Sequence, residues 1–66
     1  MNIIVNGEKL EVENNAKIAD VLHILGVEQK VVAIALNTQI VKKDLWHEES
    51  LKENDELELL WFVSGG

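Results

Sequence analysis

Apolar and charged residues alternate from Lys9 to Glu13, with Leu10 and Val12 each flanked by charge. This period of two marks a strand with one wet face. Asn2 to Val5 has the same β character, and the intervening Asn6-Gly7 pair tolerates the positive φ values of a type I′ turn. The chain therefore opens with a hairpin of Asn2–Val5 and Glu8–Glu13, with Leu10 and Val12 facing inward. After Asn14-Asn15 the period changes. Ile18, Val21, Leu22 and Leu25 recur at i, i+3, i+4 and i+7, which aligns them on one face of an amphipathic helix. Gly26 then stands where a left-handed residue closes a helix. The helix start has two candidates: Asn15, a good cap, and Lys17, the residue before the first apolar position.

Val31 to Leu36 is apolar throughout and partly β-branched, the pattern of a strand buried on both faces at the centre of a sheet. Asn37-Thr38 turns it into Gln39-Ile40-Val41. Lys42 to Glu53 is charged and aperiodic, with only Leu45, Trp46 and Leu51 to anchor it, and reads as a packed loop. Asn54-Asp55 is a further turn before Glu56 to Val63, in which Leu57 and Leu59 alternate with Glu56 and Glu58 before every position from Leu59 to Val63 becomes apolar. The order predicts an α+β fold on the β-grasp plan. That plan is a mixed sheet of about five strands, its first and last strands parallel, with one main helix packed on one face. Residues 1–63 form the domain, and 64–66, Ser-Gly-Gly, are expected as a flexible C-terminal tail.

Composition narrows the class. A chain of 66 residues buries about 60% of the surface its unfolded form exposes, so one domain with a few kcal/mol of net stability is expected. Hydrophobic residues are 47% of the chain and charged ones 27%, enough apolar surface to offset chain entropy. Cysteine is absent, which removes disulfides and thiolate chemistry together and fits a reducing cytoplasm. No basic leader precedes an apolar stretch, and no uncharged run approaches the ~20 residues of a membrane helix. The expectation is a soluble, cytoplasmic protein without a membrane partner. Six Lys+Arg against twelve Asp+Glu give a net charge of −6, and all six cations are Lys. That balance argues against nucleic acid, which is held by clustered cations. It suits either a basic protein partner or solubility.

Catalytic constellations are weak. His47-Glu48-Glu49 has no second His at helical spacing, and solvated loop residues are the better reading than a metal site. The carboxylates of Asp44, Glu48, Glu49, Glu53, Asp55, Glu56 and Glu58 would need a cleft to act as an acid–base pair, and Ser50 and Ser64 have no evident base. No phosphate-binding loop is present. The chain reads as a non-enzyme with no metal and no bound cofactor. Its end carries more information. Gly65-Gly66 has no turn to make, so it is either a frayed terminus or a pair without Cβ atoms that lets the chain thread a narrow channel. In the second case the Gly66 carboxylate is the reactive group. A carboxylate becomes an acyl electrophile only as a mixed anhydride, which requires ATP and a separate adenylating enzyme. The run Leu59 to Val63 points the same way, because a strand cannot aim five successive side chains into one core. With Leu57 and Leu59 inward, parity sends Trp61 inward and Leu60 and Phe62 outward. Those two either form a docking patch beside the tail or lie under the loop from Lys42 to Glu53.

Taken together, Ile18 to Leu25, Ala35-Leu36-Asn37 with Ile40-Val41, Trp46, Asn54-Asp55-Glu56-Leu57 and Ser64-Gly65-Gly66 make the whole chain resemble the ThiS family, the ubiquitin-like sulfur carriers of thiamine biosynthesis. It departs from the family at Asn54, where Gly often precedes the Asp, and at Lys17, which replaces a Ser or Thr cap. The resemblance implies that Gly66 is adenylated with ATP by a ubiquitin-activating-type enzyme. It is then converted to a thiocarboxylate with sulfur from a donor such as a cysteine desulfurase. Thiazole synthase would receive that sulfur. Leu60, Phe62 and Val63 would recognise partners, while Ser64 and Gly65 would thread. The sister carrier of molybdopterin synthesis, a ubiquitin-like modifier that conjugates Gly66 to lysine, and a non-catalytic β-grasp interaction module are the alternatives.

Overall fold

Asn6 and Gly7 adopt φ values of 49° and 84°, the left-handed pair of a type I′ turn. The turn folds β1 (Asn2–Val5) antiparallel onto β2 (Glu8–Glu11), with Ile3 opposite Leu10. The structure is a computed structural model and describes residues 1–62. β2 ends two residues before the expected Glu13, yet Val12 still reaches the core. The Val12 N–H donates to the Met1 carbonyl at 2.8 Å, and the Met1 ammonium donates to the Val12 carbonyl at 2.7 Å.

The helix α1 spans Ile18–Leu25, as its spacing predicts, and Gly26 closes it at φ 68°. Lys17 is the residue at its N-terminal boundary, and an ammonium has no lone pair with which to cap. The first free N–H groups are met from elsewhere. Ile18 and Ala19 donate to the carbonyls of Glu49 and Trp46 at 3.1 and 2.8 Å. The Asp20 carboxylate accepts from the Lys17 backbone N–H at 2.9 Å, one half of a capping box. Ile18, Val21 and Leu22 are buried, but Leu25 is 40% exposed. It stands at the mouth of a groove between the helix end and the hairpin rather than inside the core.

Three further strands complete a single sheet in the order β2-β1-β5-β3-β4. They are β3 (Val31–Leu36), β4 (Gln39–Ile40) and β5 (Glu56–Trp61). β5 pairs parallel with β1, as expected, and antiparallel with β3. The last strand, not Val31–Leu36, is therefore the centre of the sheet. It enters the gap between the N-terminal hairpin and β3, where both of its edges find partners. Nor is β3 buried on both faces. Its register with β5 shifts between Val31 and Ala33, and Val32, the extra residue at this irregularity, is 52% exposed. The loop after β4 contains a 3₁₀ turn at Lys43–Leu45. Trp46 and Leu51 anchor it as expected, and the Trp46 indole donates to the Val41 carbonyl at 2.9 Å. Leu45 does not, because the turn that buries Trp46 leaves it facing solvent.

Ile3, Ile18, Val21, Ile34 and Leu57 are fully buried between the sheet and α1. Positive φ values occur at Asn6, Asn15, Asn37, Thr38 and Asn54. Asparagine is the side chain that most readily occupies this region after glycine, so Asn54 can stand where a glycine would. Thr38, at φ 74° in the β3–β4 turn, is different: it is β-branched and strained there. Replacing it as Thr38→Gly should relieve that strain and raise stability by about 1 kcal/mol, net of the greater chain entropy of glycine. Thermal unfolding should show a melting point higher by roughly 4–8 °C, and a lower one would mean that Thr38 is not strained.

Candidate functional site

The site is built on the alternation of β5. Leu57 and Leu59 face α1 and are buried, and Trp61 follows on the same face, half-buried, with the Lys30 ammonium 5.5 Å from its ring centroid. Glu56, Glu58 and Leu60 point to the opposite, helix-free face. Leu60 is 54% exposed and Phe62, just beyond the strand, 86%. The loop from Lys42 to Glu53 does not cover them. Two of its large apolar residues, Trp46 and Leu51, pack into the core beneath α1, and Leu45 faces solvent.

Strand register extends this surface sideways. Ala33 lies beside Leu60, Ala35 beside Glu58, and Ile40 beyond Ala35 on β4. Ile40 is 68% exposed. Small side chains on β3 thus leave a shallow apolar shelf between Leu60 and Ile40, with the exposed carboxylates of Glu56 and Glu58 on β5 beside it. A shelf of this shape suits a flat protein contact better than a small molecule, which needs concavity. Sequence parity found Leu60 and Phe62. It missed the exposed Ile40 and the half-buried Ala33, whose place on this face follows from pairing partners that only the register reveals. Val63, Ser64, Gly65 and Gly66, the remaining expected site residues, lie outside the described residues.

The histidines do not converge with other ligands. His47 is exposed in the loop, and His23 Nδ1 lies 3.2 Å from Glu28 Oε2 at the exposed end of α1. Among the described residues no three His, Cys, Asp or Glu side chains group as a metal site, and no helix is long and apolar enough to cross a membrane. On the helix side an apolar groove of about 320 Å³ runs between the hairpin and the end of α1, lined by Val5, Leu10, Leu25, Val27, Leu59 and Trp61.

Comparison with known proteins gives a consistent result. The model of the ThiS family matches residues 2–66. The chain is 33% identical over 54 residues to the sulfur carrier protein ThiS of Bacillus subtilis (strain 168), covering 82% of each protein. It is 26% identical to the sulfur carrier protein ThiS of Escherichia coli (strain K12), over the full length of both. A thiazole synthase of Paramagnetospirillum magneticum is 30% identical over all 66 residues, and the chain spans 20% of that protein's length. Among solved structures, the crystal structure of a thiamine biosynthesis protein (ThiS) from Geobacter metallireducens superposes with a TM-score of 0.82 at 29% identity, covering both chains entirely.

Because the shelf residues already stand in water, charged replacements there should leave the fold intact. Leu60→Glu and Phe62→Glu should each change stability by no more than about 1 kcal/mol. Chemical denaturation checks this, and a larger loss would mean that the side chains are covered in solution.

Proposed function

The chain belongs to the ThiS family of sulfur carrier proteins, and from that premise we propose that it carries sulfur for the thiazole of thiamine as a thiocarboxylate on Gly66. The chain is a carrier and protein co-substrate rather than a catalyst. Its carboxylate attacks ATP on an adenylating enzyme of the ubiquitin-activating type, pyrophosphate leaves, and the carboxyl carbon becomes an acyl electrophile. The terminal sulfur of a donor persulfide, such as one on a cysteine desulfurase, attacks that carbon and displaces AMP to give an acyl disulfide. A reducing thiol then cleaves the S–S bond to release the thiocarboxylate, so that one oxygen is replaced by sulfur. A thiocarboxylate is a better sulfur nucleophile than the carboxylate it replaces, and holding it on a protein keeps it from wrong acceptors. Thiazole synthase is the acceptor of that sulfur. Similarity of the whole chain to part of a thiazole synthase supports this pathway over the molybdopterin one.

The observation that carries the reading is the exposed pair Leu60 and Phe62, on and just beyond the strand that precedes Val63-Ser64-Gly65-Gly66. Leu60, Phe62 and Val63 dock the partner, with Ile40 extending the contact. Ser64 and Gly65 thread toward its reacting centre, where side chains would obstruct passage. Glu56 and Glu58 beside the patch favour a partner surface bearing Lys or Arg. No cofactor is bound by the chain; ATP is consumed by the adenylating enzyme. Such chemistry belongs to a reducing cytoplasm, where a chain without cysteine loses nothing.

Intact mass measured after incubation with ATP, a cognate adenylating enzyme and a sulfur source should rise by the difference between sulfur and oxygen. Deleting Gly66, or adding one residue after it, should abolish the gain. Leu60→Glu and Phe62→Glu should slow it at least about tenfold, the scale of losing one central interface anchor. An unchanged mass, with the enzyme shown to be active on another carrier, would leave the interaction module as the better reading.

A further inference from the structure

We propose that Asn6 is a positioning residue for the tail: its carboxamide supplies the last rung of the parallel β1/β5 ladder and so holds the strand end that presents Leu60 and Phe62. The role rests on the carrier reading above. In a parallel pair the residue on one strand bonds both neighbours of its opposite number. Ile4 donates to the Asp55 carbonyl at 2.9 Å, and Asn6 donates to the Leu57 carbonyl at 2.9 Å. Continuing the pattern, the Leu59 N–H should donate to the backbone carbonyl of Asn6. That backbone bond does not form, since Asn6 already has φ 49° and the chain reverses at Gly7. The Asn6 side chain takes over the role: its Oδ1 accepts from Leu59 N–H at 2.8 Å, partly buried.

Position makes this rung matter more than an average one. Beyond it β5 has no partner on the β1 side among the described residues, and on the other side the β3 pairing shifts register between Val31 and Ala33, opposite Trp61 and Leu60. The Leu59 N–H is thus the last tie on that edge before the residues that dock. Without it the segment from Leu59 to Phe62 samples arrangements in which Leu60 and Phe62 do not share the outer face. A partner that needs them there binds only the ordered fraction, and apparent affinity falls by that fraction. Once docked, the tail is the same, so the chemical step is unaffected. Asparagine meets both demands at this position, since it tolerates positive φ and offers a carbonyl oxygen.

Two variants separate the demands. Asn6→Gly keeps the turn, because Gly-Gly also forms type I′, and removes the acceptor. Asn6→Asp keeps the acceptor. Backbone amide exchange followed by NMR, together with steady-state thiocarboxylation by the adenylating enzyme, should show two effects in Asn6→Gly. The Leu59 amide should exchange roughly tenfold faster while that of Leu22 stays protected, and KM for the carrier should rise by a similar factor at unchanged kcat. Asn6→Asp should restore both. An unchanged Leu59 amide in Asn6→Gly, or a faster one with unchanged KM, would overturn the positioning role alone. Wild-type protein that is never thiocarboxylated would overturn the carrier reading and this role with it.

Discussion

The rest of the structure depends on the period of two along β5, held by pairing on both edges. A slip of one residue would turn Glu56 and Glu58 into the core and expel Leu57 and Leu59. Losing the burial of those two leucines would cost about 3–6 kcal/mol, roughly what a domain of this size has to spare. The alternation is therefore fixed, and with it the outward direction of Leu60. An exposed apolar residue at that position is the geometric counterpart of the buried ones before it. The exposed apolar shelf and the core are two faces of one strand and cannot be adjusted separately.

A second dependence links the charged loop to the helix. An isolated helix of eight residues is too short to persist in water, and Lys17, the residue before α1, has a side chain that cannot cap it. The loop makes up the deficit. Its Trp46 and Glu49 carbonyls accept the first helical N–H groups, the Leu51 N–H donates back to the Ala16 carbonyl at 2.8 Å, and the Lys17 ammonium reaches the Ser50 hydroxyl at 2.6 Å. Trp46 and Leu51 hold the loop in place by burial, so hydrophobic packing of the loop secures the polar end of the helix. This is why a segment with no periodicity, and with only a single antiparallel bridge between Ser50 and Lys17, is nonetheless ordered, and why its apolar anchors lie on the helix side rather than across the outer patch.

Local pattern was legible wherever local chemistry decides structure. Asn6-Gly7 announced the hairpin, the apolar spacing marked the helical face from Ile18 to Leu25 while leaving the start open between Asn15 and Lys17, and Gly26 marked its end. Parity in the last strand correctly sent Leu57 and Leu59 in and Leu60 out. What stayed hidden was set by partners distant in sequence. Val31–Leu36 looked central because it is uniformly apolar, yet β5 takes the centre, since strand order is decided by which edges remain free. The exposure of Val32 comes from a register shift against Trp61, and that of Ile40 from its place on the sheet edge beside Ala35. Asn6 was legible as a turn former but not as a hydrogen-bond acceptor for Leu59, because that rung joins residues 53 apart.

The acidic charge left two readings open, a basic partner or simple solubility, and on the proposed function the same carboxylates would serve both. A sheet face with exposed Leu60 and Ile40, followed by Phe62, invites pairing with a second copy of itself. Two features oppose that. The edges offer little to a like chain, since β4 has two residues and β2 carries Glu8, Lys9 and Glu11. The carboxylates of Glu56 and Glu58 stand on the same face as the shelf, so two copies meeting there would bring like charges together, at a net charge of −6 each. A cationic partner meets the same carboxylates as attraction. On the proposed reading, one pair of side chains would thus repel a second copy and attract a cationic partner, so that an apolar surface can stay uncovered.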